Sequence, residues 1–159
     1  MQKIRRVEKE SPELTIIREL FREYEKELGA DLRFQNFGNE LENPLKKYGS
    51  PNGVLFLCYW NDEPAGCIGL APMEETGYCE MKRLFVRPVY RKYGIGKTLV
   101  YKLIEFATGK GYQFMRLDTF KKLAAAIRLY ETLDFYYIES YYHNPYPDVV
   151  YMEKRLLKG

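Results

Sequence analysis

The chain has 159 residues, enough for one domain with a substantial core and too few for two ordinary ones, so residues 1–159 are expected to form a single domain. Hydrophobic residues at 46% and charged residues at 30% match a globular protein, and a net charge of +3 is too small to call for a nucleic-acid partner. No apolar run reaches membrane-spanning length and the first residues lack the apolar stretch of a secretion signal, so the expectation is a cytoplasmic protein without a membrane partner.

In chain order, Ile4 and Val7 belong to a short first strand. Ser11-Pro12-Glu13 then supplies an N-cap, a proline suited to the first turn and an acidic residue favoured there by the helix dipole. Leu14, Ile17, Leu20, Phe21, Tyr24 and Leu28 recur at helical spacing until Gly29 breaks the pattern, which predicts a first helix. The stretch 31–48 is split by Asn43-Pro44, and Leu41, Leu45 and Tyr48 suggest one or two short helical pieces. Phe34, Gln35 and Phe37 within it are candidates for a lid over a binding site, with plain packing of a connecting loop as an equal alternative.

Apolar runs at 54–60 and 65–70 flank the turn cluster Asn61-Asp62-Glu63-Pro64 and predict a hairpin. Thr76-Gly77 marks a second turn, leading into a strand over 78–86, so three strands are expected to meander antiparallel. Beyond a glycine-containing loop, Ile95, Leu99, Leu103, Ile104 and Ala107 share one face of a helix that closes near 109–111. Residues 114–118 supply the next strand, and the order strand, helix, strand argues for a parallel pair with a crossover helix. A further helix is predicted over 123–133, with Ala126, Ile127, Tyr130 and Leu133 on its apolar side. The last part, 135–157, reads as a two-strand hairpin around 143–148, rich in tyrosine at Tyr136, Tyr137, Tyr141, Tyr142, Tyr146 and Tyr151. Half-buried strand packing explains those rings first, and an acceptor pocket or a homodimer contact second.

Cys58, Cys67 and Cys79 are widely spaced, each in an apolar strand-like run, and read as buried free thiols. With His143 as the single histidine, no metal-ligand cluster assembles from the usual spacings, so no metal is expected.

The stretch that organises the chain is 80–98, where the strand stopped by Pro88 gives way to a basic, glycine-containing loop opening directly onto a helix. A new helix leaves its first N–H groups unpaired and carries partial positive charge, so such a loop suits a phosphate. Gly94 and Gly96 let the backbone approach closely, while Arg87, Arg91, Lys92 and Lys97 surround it with positive charge. Gly96-Lys97-Thr98 resembles the tail of a nucleotide-binding P-loop, but Arg91 stands where that motif needs its first glycine. A dinucleotide fingerprint fails as well, with Leu99 at its third glycine and seven residues between Val86 and Gly94. What fits is Arg-x-x-Gly-x-Gly at Arg91, Gly94 and Gly96, preceded by Val-Arg-Pro at a strand end.

On this loop, and on the later segment Ala-Ile-Arg-Leu-Tyr-Glu-Thr-Leu-Asp-Phe, the chain resembles the GNAT superfamily of N-acetyltransferases over nearly its whole length. The resemblance implies an α/β (α+β) fold. Its central mixed, mostly antiparallel sheet would have about six to seven strands flanked by helices, with a parallel strand pair at the acyl-CoA site. It implies acetyl-CoA as co-substrate, held by Leu84, Phe85 and Val86 at the strand end and by Arg91, Lys92, Tyr93, Gly94, Ile95, Gly96, Lys97 and Thr98 in the loop. The family often has glycine where this chain has Lys92 and Asp134. Asp tolerates the left-handed backbone expected after the helix better than most residues.

Acetyl transfer to an amine needs a base, because lysine-type amines with a pKa of about 10.4 and α-amines of about 8 are protonated at neutral pH. Glu80 resembles in type and rough position the carboxylate some family members use, and Asp118 at the end of the neighbouring strand is the other candidate. A surface charge or a structural hydrogen bond accounts for either equally well. Tyr130 matches the tyrosine that many family members place beside the coenzyme sulfur, and it also fits the helix's apolar side. Phe34, Gln35 and Tyr142 are the candidates for the acceptor site. The resulting expectation is an N-acetyltransferase acting on a small-molecule, amino-acid or protein amine, with a non-catalytic acyl-CoA-binding sensor or interaction module as the alternative.

Overall fold

The computed structural model describes residues 1–156; Leu157, at the end of the predicted hairpin, lies outside the described residues. After β1 (Gln2–Arg6), Ser11 accepts a hydrogen bond from the Leu14 N–H at 3.3 Å and so caps α1 (Pro12–Leu28). Leu14, Ile17, Leu20, Phe21 and Leu28 form its buried face, and Gly29, at φ 65°, ends it in the left-handed conformation. The segment that follows contains a 3-10 turn (Arg33–Gln35) and two short helices, α2 (Phe37–Glu42) and α3 (Pro44–Tyr48), separated at Asn43-Pro44 as the proline dictates.

Three antiparallel strands come next: β2 (Val54–Trp60), β3 (Glu63–Pro72) and β4 (Tyr78–Val86). The turn between β2 and β3 is tighter than its polar cluster suggested. Asn61 and Asp62 both adopt positive φ, 47° and 69°, so two residues suffice and Glu63 already pairs with Trp60. A 3-10 turn (Pro88–Tyr93) leads to α4 (Ile95–Gly109), followed by β5 (Phe114–Phe120), α5 (Ala124–Thr132), β6 (Tyr136–Ile138) and β7 (Val149–Arg155). Among the described residues, seven strands form one mixed sheet in the order β1-β2-β3-β4-β5-β7-β6, with β4 and β5 its parallel pair and α4 the crossover. One core lies between the sheet and α4 and α5, and the other beneath α1 to α3. Burial pushes the thiols of Cys58, Cys67 and Cys79 up, so they are inert core groups.

Two departures from regular geometry position the site. Cys67 faces Phe85 and Gly69 faces Lys82, so two residues of β4, Arg83 and Leu84, oppose the single residue Ile68. This is a β-bulge, and Arg83 takes φ 62° within it. The bulge puts both Lys82 and Arg83 on the helix α1 to α3 side, where Arg83 forms a bidentate pair with Glu40 of α2 at 2.7 and 3.1 Å. Burial would raise Glu40, but the Arg83 guanidinium overcomes that and holds the carboxyl below its usual range. The second departure is a splay: β4 pairs with β5 only from Tyr78 opposite Phe114 to Glu80 opposite Arg116. Beyond Glu80 the two strands part, and among the described residues β4 has no strand neighbour on that side.

Asp134, just after α5, adopts φ 68°, while the N–H of Phe135 closes the helix end on the Tyr130 carbonyl at 3.0 Å. Since glycine enters this conformation without a Cβ penalty, Asp134→Gly is expected to raise unfolding free energy by about 0.5–1 kcal/mol. Urea denaturation should show a higher midpoint at unchanged slope.

Candidate active site

The loop and the splay open onto one another. At the surface, a cleft of about 500 Å³ is bounded by Leu84, Phe85 and Val86 on one wall and by Arg91, Gly94, Gly96 and Lys97 at the end of α4. The α4 N-terminus has no side-chain cap, so its first N–H groups remain available to a ligand. Gly94 (φ 72°) turns the chain into the helix, and at Gly96 an added Cβ would come no nearer than 3.9 Å to Val86. The α5 N-terminus is also uncapped by a side chain, and Ala124, Ala125 and Ala126 face the same cleft. Two helix N-termini with small or glycine first turns thus converge on one groove, a donor set suited to phosphate oxygens. Arg91 is held in place by its Nε donating to the Val86 carbonyl at 2.8 Å and by Glu27.

Tyr24, Leu28, Leu84, Leu123 and Ala126 line both this cleft and a smaller cavity of about 50 Å³ lying where β4 and β5 separate. Tyr130 of α5 lines that inner cavity, its ring packed at 5.7 Å on Phe135. Burial, with the negative charge of Asp118 nearby, pushes its hydroxyl well above the usual tyrosine range. Tyr24 is pushed up to about 12, again chiefly by burial. Both phenols therefore stay protonated and can only donate or accept hydrogen bonds at neutral pH.

At the far end lie two carboxylates and a lysine. The buried Lys82 ammonium is 3.7 Å from Glu80 and 3.7 Å from Asp118. Each carboxylate also accepts a tyrosine hydroxyl from the loop joining β6 to β7: Tyr141 donates to Glu80 at 2.7 Å, and Tyr142 donates to Asp118. Burial and the adjoining carboxylates drive both phenols upward, which keeps them as donors. Gln35 Nε2 and Asn144 Nδ2 donate to the Tyr142 oxygen at 2.9 and 3.1 Å, tying the segment before α2 to the β6–β7 loop over the cavity.

Asp118, Tyr130 and Gln35 thus line the inner cavity, Glu80 and Tyr142 join it only indirectly, through Lys82 and Asp118, and Leu84, Phe85, Val86, Arg91, Gly94, Gly96 and Lys97 lie along the neighbouring cleft. The rest of the expected set lies elsewhere. Ile95 is fully buried in the core, Tyr93 stacks on Trp60 at 4.0 Å with Lys92 over its ring, and Thr98 donates to the Gly94 carbonyl at 3.1 Å. Arg87 is turned away to Glu23 and the Pro64 carbonyl. Phe34 packs against Tyr146 at 6.0 Å and is partly exposed, while Phe37 lies buried under Arg83. Sequence reasoning missed Lys82 and the Glu40–Arg83 pair, and it named Tyr141 only among the tyrosines whose second explanation was an acceptor pocket. The signal was present: adjacent charges at Lys82-Arg83 interrupt the alternation of a strand destined for the middle of a sheet.

Residues 14–135 match the model of the acetyltransferase (GNAT) family. An uncharacterised N-acetyltransferase of Schizosaccharomyces pombe is 44% identical over 140 residues, covering 87% of this chain and 86% of that protein. Among solved structures, a GNAT-family acetyltransferase from Staphylococcus aureus superposes with a TM-score of 0.79 at 23% identity, covering 98% of this chain and 100% of the other. An N-acetyltransferase from Thermoplasma acidophilum, crystallised in complex with coenzyme A, superposes with a TM-score of 0.73 at 18% identity over 98% and 99% of the two chains.

Proposed function

The chain belongs to the acetyltransferase (GNAT) family, and from that premise we propose that it transfers an acetyl group from acetyl-CoA to a primary amine by direct attack on the thioester. The observation that carries this reading is that the cleft and the inner cavity share the walls of Tyr24, Leu28, Leu84, Leu123 and Ala126, with cation-flanked helix N-termini on the cleft and Asp118 and Tyr130 on the cavity. Coenzyme A bound to the Thermoplasma acidophilum relative supports the choice of donor. The acceptor is a small-molecule, amino-acid or protein amine, and the buried thiols fit work in the cytoplasm.

In this reading the N–H groups opening α4, together with Arg91 and Lys97, hold the pyrophosphate. The unpaired edge of β4 at 84–86 pairs with the extended pantetheine arm as a neighbouring strand would, and a backbone N–H near Val86 polarises the thioester carbonyl. The donor supplies an activated acyl carbon; the protein has to orient it, take a proton from the acceptor ammonium and return one to sulfur. In this reading Glu80 or Asp118 takes the first proton, supported by the Lys82 ion pairs that bring both together, and Tyr130 supplies the second.

Thiol release from acetyl-CoA across a panel of amines tests the proposal directly. Amine-dependent release is expected, while coenzyme binding without it would leave a non-catalytic acyl-CoA module. Because two carboxylates flank the same lysine, loss of one should be partly covered by the other. Glu80→Gln is expected to lower kcat about tenfold, below the usual range for general-base loss of about 10²–10⁴. Unchanged kcat and an unchanged acidic limb of the pH–rate profile would move the role to Asp118 or to water.

A further inference from the structure

The buried lysine between the carboxylates has no part in holding the coenzyme, and its surroundings give it another task. Lys82 has a side chain only 5% exposed, on the same strand as Glu80 and facing Asp118 across the splay, with both carboxylates at 3.7 Å. Two carboxylates within reach of one ammonium are at most about twice that distance apart. Without the cation they would repel one another, and such a pair retains a shared proton to higher pH.

We propose that Lys82 is a positioning residue of the transfer reaction: its ammonium holds Glu80 and Asp118 apart and keeps both in the proton-accepting form, so that a base is ready when the acceptor ammonium arrives. The other charged and titratable groups around it do not duplicate this role. Arg83, next in the strand, is spent on Glu40 of α2. Lys47 of α3 also pairs with Glu40, at 3.4 Å, and the combination of burial and the Lys82 charge holds its ammonium below the usual lysine range. Tyr24 of α1 is a neutral phenol beside Arg83, and Tyr141 and Tyr142 of the β6–β7 loop are neutral donors, with the Lys82 ammonium 5.8 Å from the Tyr142 ring centre. Arg116 of β5, opposite Glu80, is engaged by Glu153 at 2.9 Å and Glu75 at 3.4 Å, and Tyr151 of β7, opposite Asp118, is held neutral by burial and that carboxylate. Among the described residues, Lys82 is therefore the cation that pairs with both carboxylates.

The inference rests on the transfer reaction proposed above, and its test separates the two. Wild-type turnover of an accepted amine is the reference, and its absence would count against that reaction. With turnover in hand, the pH dependence of kcat is compared for Lys82→Met, Lys82→Gln and Lys82→Arg, with coenzyme A calorimetry as the check that each protein is folded. Both neutral variants are expected to move the acidic limb up by about one to two pH units, with coenzyme affinity little changed. Lys82→Arg keeps the charge and is expected to leave the limb within about half a unit. A neutral variant that loses kcat with an unmoved limb would make Lys82 merely structural. If neither neutral variant folds, a limb displaced in Lys82→Arg as far as one to two units would overturn the proposal, since the charge is still present.

Discussion

Gly96→Glu is expected to abolish coenzyme A binding while leaving the fold intact. An added Cβ meets nothing closer than Val86 at 3.9 Å, an ordinary contact, and Gly96 has no positive φ to strain. The first turn of α4 would nevertheless gain a carboxylate beside its uncapped N–H groups and Lys97, at the proposed pyrophosphate seat. A unit charge about 4 Å from a phosphate oxygen costs about 4 kcal/mol at an effective dielectric constant near 20. That corresponds to about a thousandfold in affinity, beyond calorimetric detection for a micromolar ligand. Gly96→Ala separates charge from volume and should bind within a few-fold of wild type. Gly94 is the poorer probe, because at φ 72° any side chain strains the turn itself. A folded Gly96→Glu protein with normal coenzyme affinity would remove the α4 N-terminus from the site.

Local chemistry made much of the architecture legible before any coordinates. The cap at Ser11, the stop at Gly29, the break at Asn43-Pro44 and the periodic faces of α1 and α4 each depend on residues a few positions apart, and all appear in the structure. The parallel pair followed from the strand, helix, strand order. What escaped depends on partners far along the chain. The bulge at Arg83 exists only in register against β3, and it decides that Arg83 joins Lys82 on the same face and reaches Glu40. Likewise, Tyr141 and Tyr142 reach Glu80 and Asp118 because β7 inserts between β5 and β6, an arrangement that no short-range pattern encodes. The same limit explains why the loop's basic residues looked equivalent. Arg91 faces the cleft and Arg87 does not, and only the positions of Glu23 and Glu27 on α1 distinguish them.

Replacing Tyr130 by phenylalanine is expected to lower kcat about a hundredfold while coenzyme affinity and melting temperature barely change. The ring accounts for the packing against Phe135 and the core, and phenylalanine keeps it. Only the hydroxyl is lost, from a residue that lines the inner cavity. Were that hydroxyl an ordinary phenol near pKa 10, full proton transfer to a thiolate of pKa about 8.5 would be uphill by about 2 kcal/mol. Burial raises the phenol further and makes transfer steeper still, so the part proposed for it is to donate a hydrogen bond as charge gathers on sulfur, with the proton moving late. A donor acting in the transition state but not on bound coenzyme lowers kcat without weakening ground-state binding. General-acid groups contribute about 10²–10⁴-fold, and a thiolate, which departs readily, calls for the low end. The sign of the pH effect follows from the raised phenol. The hydroxyl is fully protonated below the ordinary tyrosine range and stays so above it, so the wild-type profile should show no loss from Tyr130 up to pH 10, and Tyr130→Phe should be slower by the same factor across that span. If kcat with a true acceptor stayed within about twofold of wild type, Tyr130 would belong to the core alone and solvent would have to protonate the leaving thiolate.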